Sequence, residues 1–258
     1  MGILNTTPDS FYQESRLTSV EDTLIKADQM INEGATFLDV GGYSSRPDAE
    51  DISINEELRR TIPYIEALHR VFPGVPISID TFRREVAEQA VKAGATMVND
   101  ISGGSLDKTM LDFIAESKTP YIAMHMKGTP QTMQHKANYD DINLAVISYF
   151  SKLIDKCSKL GIHDLVIDPG FGFAKTLDQC YKLLSKMELL TALNKPILIG
   201  LSRKSMIYKF LEITPQNALN GTTTLNTVAL LKGANILRVH DVKPAMESIA
   251  LIEKLTNC

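Results

Sequence analysis

Three short apolar runs of the chain end on side chains that can form several hydrogen bonds at once: Asp80, Asn99 and Asp168. If the runs are parallel strands of a barrel, each residue points into the same mouth from a different strand. Two carboxylates and an amide in one plane can read the edge of a heterocycle with ring N–H and amino donors. Any one of the three fits an ion pair or a strand-end cap equally well. Together they predict a pocket for a flat, donor-rich ring.

Apolar residues next to these positions are suited to cover the faces of such a ring. Asp168 opens the segment 168–173, whose glycines let the backbone approach a ligand and whose Phe173 can pack against it. Met124 is the methionine best placed to wall a flat ring. We expect the neighbouring His125 to line the core or the pocket, because no two histidines have the spacing of metal ligands.

Cationic and hydroxyl side chains follow the last two apolar runs. Ser202, Arg203 and Lys204 follow the seventh run, while Arg238 and His240 end the eighth, where alternation puts both on the same side. Barrels often bind phosphate with the loops after strands 7 and 8, and arginine donates two parallel hydrogen bonds to a phosphate. Either cation alone would usually be a solvated surface residue. Their position predicts an anion site.

These candidate residues depend on eight apolar runs that are separated by segments of helical length. The runs cover residues 2–5, 37–41, 76–80, 97–100, 121–125, 165–168, 196–200 and 236–240. Near-continuous apolar runs of this length suit parallel strands buried on both faces, and a (β/α)₈ barrel builds its active site at their carboxyl ends. A strand that simply meets a polar loop explains one or two such ends, but not eight. We therefore predict an α/β fold with a single (β/α)₈ TIM barrel domain over 1–258.

Amphipathic segments connect the runs. Apolar side chains recur at helical spacing in 20–33, 85–93, 141–160 and 225–232. These segments end next to Gly34, Gly94, Gly161 and Gly233. Glycine just past a helix can adopt the left-handed conformation that closes the last turn, so we expect one repeated βα unit.

Composition limits the class of function. The 258 residues match the typical size of one (β/α)₈ barrel, and the formal net charge of −4 argues against a general nucleic-acid binder. No stretch approaches the ~18 consecutive apolar residues of a membrane span, and no secretory signal is visible. The three cysteines have no metal-ligand spacing, which predicts reduced thiols in a cytoplasmic protein.

Motifs at the eight strand ends match one family in order along the chain. They are Gly2–Asn5 with Thr7–Phe11, Gly41–Gly42 with Ser44–Pro47, Ser78–Thr81, Asn99–Ile101, Met124–Met126, Asp168–Phe173, Ser202–Ser205 and Arg238–Val242. On these motifs the sequence resembles the dihydropteroate synthases of the folate pathway over essentially its whole length. Any one motif can arise by chance, whereas eight in the right order are specific.

The resemblance implies a transferase reaction. A dihydropterin that carries a diphosphate on its hydroxymethyl group loses pyrophosphate, and the amine of p-aminobenzoate takes its place to give 7,8-dihydropteroate. The resemblance also implies Mg²⁺ as cofactor, these two small molecules as substrates, and a homodimer through the later helices. Sulfonamides, which mimic p-aminobenzoate, should compete with it.

The resemblance further assigns residues to each part of the substrates. The pterin pocket would consist of Asp80, Asn99, Ile101, Met124, Asp168, Gly200 and Lys204. The diphosphate would be held by Asn5, Ser45, Arg46, Arg238 and His240, with Asn5 near Mg²⁺. The p-aminobenzoate would be flanked by Pro47, Phe173, Ser202 and Lys204. Of these residues, catalysis would fall to Asn5, Arg46, Lys204, Arg238 and His240.

The expected chemistry is mainly charge stabilisation and positioning. Pyrophosphate leaves readily only when its growing charge is neutralised, which Mg²⁺, Arg46, Arg238 and His240 can do. The cationic pterin methylene needs a pocket without water, so we expect the loops after strands 1 and 2 to form a lid. No general base is required, because an aromatic amine is a free nucleophile near neutral pH.

The chain departs from the family pattern at a few positions. Gln13 stands where the lid usually has Asp, with Glu14 beside it, and Ala174 replaces a common Gly. The altered lid keeps open a pterin-binding homologue without synthase activity. A methyltransferase barrel that acts on methyltetrahydrofolate and a corrinoid is a second alternative, but it has no need for the diphosphate site that Arg46 and Arg238 predict.

Overall fold

The structure, a computed structural model, describes residues 1–6, 19–45 and 51–258. All eight predicted strands are present in these ranges. They are β1 (Gly2–Asn5), β2 (Leu38–Gly41), β3 (Ile77–Asp80), β4 (Met97–Asp100), β5 (Tyr121–Met124), β6 (Leu165–Asp168), β7 (Leu198–Ile199) and β8 (Ile236–Leu237). The apolar runs thus form strands because both of their faces are buried, as parallel strands require.

The strands close into a parallel barrel. β1 to β6 pair in sequence order, and β7 pairs with β8. Parallel bridges from Ile167 to Ile197 and from Gly2 to Val239 join these two groups of strands on both sides. The predicted α/β fold with a parallel barrel is confirmed.

The last two strands are shorter than predicted, because only two residues of each form regular pairs. Beyond this point a side chain joins the two strand ends instead: the Ser202 hydroxyl accepts a hydrogen bond from the backbone N–H of His240 (3.2 Å). The polar residues of both runs therefore lie in loops that follow the strands, next to each other.

Helices surround the barrel in the described ranges. They are α1 (Val20–Asn32), α2 (Ile54–Val71), α3 (Arg84–Lys92), α4 (Met110–Ser117), α5 (Ile142–Lys159), α6 (Leu177–Ser185), α7 (Ser205–Tyr208), α8 (Leu219–Leu231) and α9 (Val242–Thr256). The predicted helices over 20–33, 85–93 and 141–160 are confirmed within a residue or so at each end. None of the helices described is both long and apolar enough to cross a membrane.

Helix α8 begins six residues before the predicted start at Leu225. Its first turns, Leu219–Thr224, contain one glycine and three threonines, which are weak helix formers. Within this helix the threonine hydroxyls donate hydrogen bonds to carbonyls one turn earlier, as Thr222 does to Ala218 (2.8 Å) and Thr224 to Asn220 (2.9 Å). Periodicity of apolar residues does not reveal this kind of turn.

Period-two alternation divides the barrel interior into an apolar floor and a polar mouth. The floor is a buried cluster of Met1, Met97, Ile122, Val166 and Leu198. The residues two positions further along four of these strands are Asn99, Met124, Asp168 and Gly200, all buried. Because alternate residues of a strand share one face, the packing of the floor brings these candidate site residues to the same mouth.

Glycine is required at the end of α3. Gly94 has a φ of +114°, and a Cβ at this position would lie only 2.5 Å from Cγ of the His69 side chain. Gly161, after α5, has a φ of +76° but open space around the same point. A side chain at Gly161 would therefore meet backbone strain alone, whereas one at Gly94 would meet both strain and steric overlap.

We expect Gly94→Ala to lower the free energy of unfolding by about 2–4 kcal/mol, because it adds a clash to the left-handed strain. Gly161→Ala is the matched control and should cost only about 1 kcal/mol from strain alone. Urea unfolding followed by circular dichroism measures both. Equal losses in the two variants would show that the contact with His69 is unimportant.

Candidate active site

A partly buried arginine joins two carboxylates at the mouth of the barrel. Arg238 donates through Nε to Oδ2 of Asp39 (2.6 Å) and through Nη2 to Oδ2 of Asp80 (2.8 Å). Asn99 donates through Nδ2 to the same oxygen of Asp39 (3.1 Å). Since a carboxylate only accepts hydrogen bonds, Asp39 turns the amide nitrogen of Asn99 toward itself and leaves the amide oxygen for another donor.

Asp39 is the central residue that the sequence analysis missed. It is fully buried on β2, and its Oδ1 has no hydrogen-bond partner in the described ranges. An orphaned carboxylate oxygen at this depth is unusual, because buried polar atoms are normally paired. The signal was present in the sequence as a lone acid inside the apolar run 37–41. A single acid in a strand does not reveal that its partners, Asn99 and Arg238, come from two distant parts of the chain.

Burial and charge oppose each other at the acids of the mouth. Burial raises the pKa of Asp80, an effect that the Arg238 guanidinium opposes and the neighbouring Asp39 charge reinforces. Burial also raises the pKa of Asp168, whereas Lys204 and a hydrogen bond from the Gly170 N–H (2.7 Å) lower it. Buried carboxyl groups whose charge is partly balanced by neighbouring cations are suited to bind the edge of a neutral heterocycle that offers several donors.

Lys204 forms a second corner of the site with the loop after β6. Its ammonium donates to the carbonyl oxygen of Phe171 (2.7 Å) and lies 4.9 Å from the centre of the Phe173 ring. Burial lowers the pKa of Lys204 to about 8, and the charge of Asp168 counteracts part of that shift. The lysine is thus a cation at neutral pH that faces an aromatic ring.

The third corner combines the loops after β7 and β8. The Ser202 hydroxyl lies 2.9 Å from Nδ1 of His240. Burial, together with the charge of Arg238, lowers the pKa of His240 to about 3. In the chain without a ligand the imidazole is therefore a neutral hydrogen-bonding group, and the expected role of His240 in neutralising an anion stays a prediction.

Arg203 braces this corner from behind. Its guanidinium donates to both carboxylate oxygens of Asp241 (2.8 and 2.9 Å) and to the carbonyl of Gln216 (2.6 Å). Arg203 is 6% exposed and has a φ of +54°. Of the cations after β7, Lys204 has its ammonium at the acid and aromatic groups of the site, while Arg203 ties the loop after β7 to the loop after β8.

These corners surround one cavity of about 600 Å³. The predicted site residues that line it are Asn5, Ser45, Asp80, Phe173, Gly200, Ser202, Lys204, Arg238 and His240. Four more are buried beneath or beside them: Asn99, Ile101, Met124 and Asp168. Arg46 and Pro47, with Gln13 and Glu14 of the first loop, lie outside the described residues.

Phe173 separates the polar part of the mouth from an apolar wall. It packs against a buried cluster of Ile101, Met124, Met126, Met133 and Ala174. The cluster lies at the carboxyl ends of β4, β5 and β6, on the side where the two pterin-facing acids and the amide were predicted. A flat ring therefore meets both hydrogen-bonding groups at its edge and apolar atoms at its face.

Comparison with known proteins gives the class and the family. The family model of pterin binding enzymes matches residues 1–240. Dihydropteroate synthase of Escherichia coli K12 is 44% identical over 255 residues, which cover 98% of this chain and 90% of the relative. The fold and these matches define a pterin binding enzyme on a (β/α)₈ barrel.

Solved structures agree with this class. The Yersinia pestis dihydropteroate synthase with a sulfonamide drug superposes with a TM-score of 0.95 at 38% identity, covering 100% of this chain and 94% of that chain. The Xanthomonas albilineans enzyme with 4-aminobenzoic acid gives a TM-score of 0.91 at 36% identity, with 100% and 92% covered. The chain belongs to the dihydropteroate synthase family. The predicted family, barrel fold and synthase activity are confirmed, whereas the roles of single residues stay predictions.

We expect the imidazole of His240 to remain neutral at pH 5, because burial and the nearby Arg238 disfavour its charged form. Two-dimensional ¹H–¹⁵N spectra of the imidazole nitrogens, assigned with His240→Gln, measure this directly. The urea-unfolded chain provides the control, since its histidines should titrate near ~6.5. A midpoint near that value for His240 in the folded chain would contradict the burial of its ring among cations.

Proposed function

We propose that the cavity condenses 6-hydroxymethyl-7,8-dihydropterin diphosphate with p-aminobenzoate, giving 7,8-dihydropteroate and pyrophosphate in folate biosynthesis. The observation that carries this proposal is the junction at Arg238. Its guanidinium bonds Asp39 and Asp80 on the side where the ring would bind, and the same residue lines the cavity next to His240. A substrate with a donor-rich ring on one side and an anionic group on the other matches that arrangement.

The pterin ring would bind with its edge toward Asp80, Asn99 and Asp168. Two carboxyls and an amide oxygen supply acceptors for its ring N–H and amino groups. Ile101 and Met124 would pack against its face, since both belong to the apolar wall. Gly200 leaves room at the end of β7, and Lys204 would add a donor for the ring carbonyl.

The diphosphate would lie toward Asn5, Ser45, Arg46, Arg238 and His240. Arg238 still has N–H groups beyond the two that bond Asp39 and Asp80, because a guanidinium carries five. The neutral His240 would donate a hydrogen bond to the anion, and binding of the anion should raise its pKa. Charge-assisted hydrogen bonds of this kind are about twice as strong as neutral ones.

The described residues also fit a magnesium ion that the substrate helps to hold. No group of three or more His, Cys, Asp or Glu side chains converges in the described ranges. Mg²⁺ often uses only one or two protein oxygens together with waters and substrate phosphates, so the Asn5 amide oxygen, which lines the cavity, is a suitable ligand. When bound, the ion would neutralise charge that develops on the leaving pyrophosphate.

The p-aminobenzoate would lie between Phe173, Ser202 and Lys204, with Pro47 beside it. Lys204 supplies a cation near the Phe173 ring, which suits an aromatic carboxylate. A similar protein, the Xanthomonas albilineans synthase, was solved with 4-aminobenzoic acid. This support makes the corner at Ser202 and Lys204 the candidate second subsite.

In the proposed reaction the bond between the pterin methylene carbon and the bridging oxygen breaks, and its electron pair leaves with pyrophosphate. The amine nitrogen of p-aminobenzoate then donates its lone pair to the methylene carbon and loses one proton. Arg238 and His240 would stabilise the leaving group, while Lys204 and Phe173 hold the amine in line. The predicted lid stays a prediction, because the first loop and half of the second lie outside the described residues.

We further propose that the whole chain, 1–258, acts as one barrel domain and forms a homodimer through its later helices. Leu231 on α8 and Leu251 and Leu255 on α9 support this, since each is more than half exposed. Exposed leucines on neighbouring helices are the type of surface that a second copy can cover. The cytoplasmic location also stays a prediction.

Purified chain should release pyrophosphate only when dihydropterin diphosphate, p-aminobenzoate and Mg²⁺ are all present. Lys204→Ala and Asp168→Asn should each lower turnover by about 10²-fold or more, because each removes a preorganised polar contact. Lys195→Ala is the control, since its ammonium bonds the His163 carbonyl (3.3 Å) at the far end of the barrel. Near-parental rates in both site variants would refute their roles. Pterin binding by calorimetry without pyrophosphate release would instead indicate an inactive homologue.

Sulfonamides should inhibit by occupying the p-aminobenzoate subsite. We expect the apparent inhibition constant to rise in proportion to the p-aminobenzoate concentration, because the two compounds would share contacts with Ser202 and Lys204. Initial rates of pyrophosphate release over a grid of both concentrations give this dependence. An inhibition constant that does not change with p-aminobenzoate would place the drug elsewhere.

A further inference from the structure

Lys175 is a buried lysine to which neither the sequence analysis nor the proposed reaction gives a role. It lies just after the loop 169–174 that follows β6 and is only 3% exposed. Its ammonium donates to the carbonyl oxygens of Gly170 (2.9 Å), Phe173 (3.0 Å) and His125 (3.3 Å), and it lies 2.9 Å from Nδ1 of His125. One side chain thus joins both ends of the loop to the end of β5.

A buried ammonium is costly, so these contacts must be well made to retain it. Burial lowers the pKa of Lys175 to about 7. Burial also lowers the pKa of His125 to about 2, so its imidazole is neutral and can accept a hydrogen bond from the lysine. The surroundings of the Lys175 ammonium are therefore acceptors.

The loop that Lys175 holds contains backbone strain. Ala174 has a φ of +48°, in the left-handed region that residues with a Cβ rarely adopt. This conformation is unfavourable for an L-residue, so Ala174 favours release of the loop. The hydrogen bonds from Lys175 to Gly170 and Phe173 oppose that release.

The same loop positions two groups of the proposed second subsite. The Phe171 carbonyl accepts the hydrogen bond from Lys204 (2.7 Å), and the Phe173 ring faces the Lys204 ammonium. Gly170 also donates its N–H to Asp168 (2.7 Å). Movement of the loop would displace all of these contacts together.

We propose that Lys175 is a positioning residue that clamps loop 169–174, so that Phe171 and Phe173 hold Lys204 and p-aminobenzoate in the reactive arrangement. This inference rests on the proposed function of the cavity for its kinetic consequence. The clamp itself concerns only the chain's own contacts, and an experiment on the loop can test it without turnover.

Lys175→Met keeps the length and volume of the side chain but removes its donors. It should raise KM for p-aminobenzoate by about 10-fold and change kcat by less than about 3-fold, because a looser loop weakens binding at one subsite. The matched control is Lys232→Met, which removes a lysine that likewise braces a distant backbone carbonyl, that of Ser185 (2.7 Å), far from the cavity. An unchanged KM in Lys175→Met, or the same increase in Lys232→Met, would overturn the proposal.

Relief of the strain at position 174 gives a second test of the clamp. With the clamp intact, Ala174→Gly should change KM for p-aminobenzoate much less than Lys175→Met does, because Lys175 holds the loop in place. In the Lys175→Met background, Ala174→Gly should restore part of the lost affinity. An increase of KM in Ala174→Gly alone as large as that in Lys175→Met, or no recovery in the double variant, would contradict a clamp that acts against backbone strain.

A fluorescent reporter separates this inference from the proposed function. The chain contains no tryptophan, so Phe173→Trp introduces a single reporter into the loop. Its acrylamide quenching constant should rise at least about 2-fold when Lys175→Met is added, and stay constant with Lys232→Met. A rise in quenching, combined with a parental chain that releases no pyrophosphate, would support the clamp and reject the proposed function. Equal quenching with and without Lys175 would reject the clamp, whatever the activity.

Discussion

The site depends on one partly buried ion cluster, in which Arg238 lies between Asp39 and Asp80. Charges taken out of water are stable only when they are paired and hydrogen-bonded, so these groups depend on one another. The two carboxylates raise the pKa of Arg238, and Arg238 in turn contributes to the low pKa of His240. Electrostatics thus divide the mouth of the barrel into an acceptor-rich socket and an anion-binding corner that share one arginine.

The scaffold places this cluster by simple means. Period-two alternation puts the apolar floor and the polar mouth in successive layers, so packing of the floor determines which residues meet above it. Contacts behind the mouth then orient its loops. Arg203 binds Asp241 across the last two loops, and Asp100 accepts hydrogen bonds from the Tyr121 hydroxyl (2.6 Å) and the Ser102 N–H (2.7 Å) behind the end of β4. Preorganised polar sites require such support, because a loosely held group loses its electrostatic advantage.

The sequence predicts the barrel well because apolar runs and helix-ending glycines are local signals. It also predicts nine of the residues that line the cavity, because strand ends of a barrel converge. It fails where the relevant fact is a partner far along the chain. In the sequence Asp39 is a single acid, and only the structure shows that Arg238 and Asn99 bond it. In the same way, Lys175 resembles a surface lysine in the sequence, and only the structure shows that it bonds the His125 carbonyl. The neutral state of His240 likewise follows from burial, which the sequence does not show.

A crystal structure with dihydropterin diphosphate and Mg²⁺ tests the central claim most directly, because that claim concerns where one ligand lies. The account predicts the ring edge against Asp80, Asn99 and Asp168, with the diphosphate on the other side of Arg238, next to Asn5 and His240. A ligand whose ring lies outside this socket, or whose diphosphate contacts neither Arg238 nor His240, would contradict it.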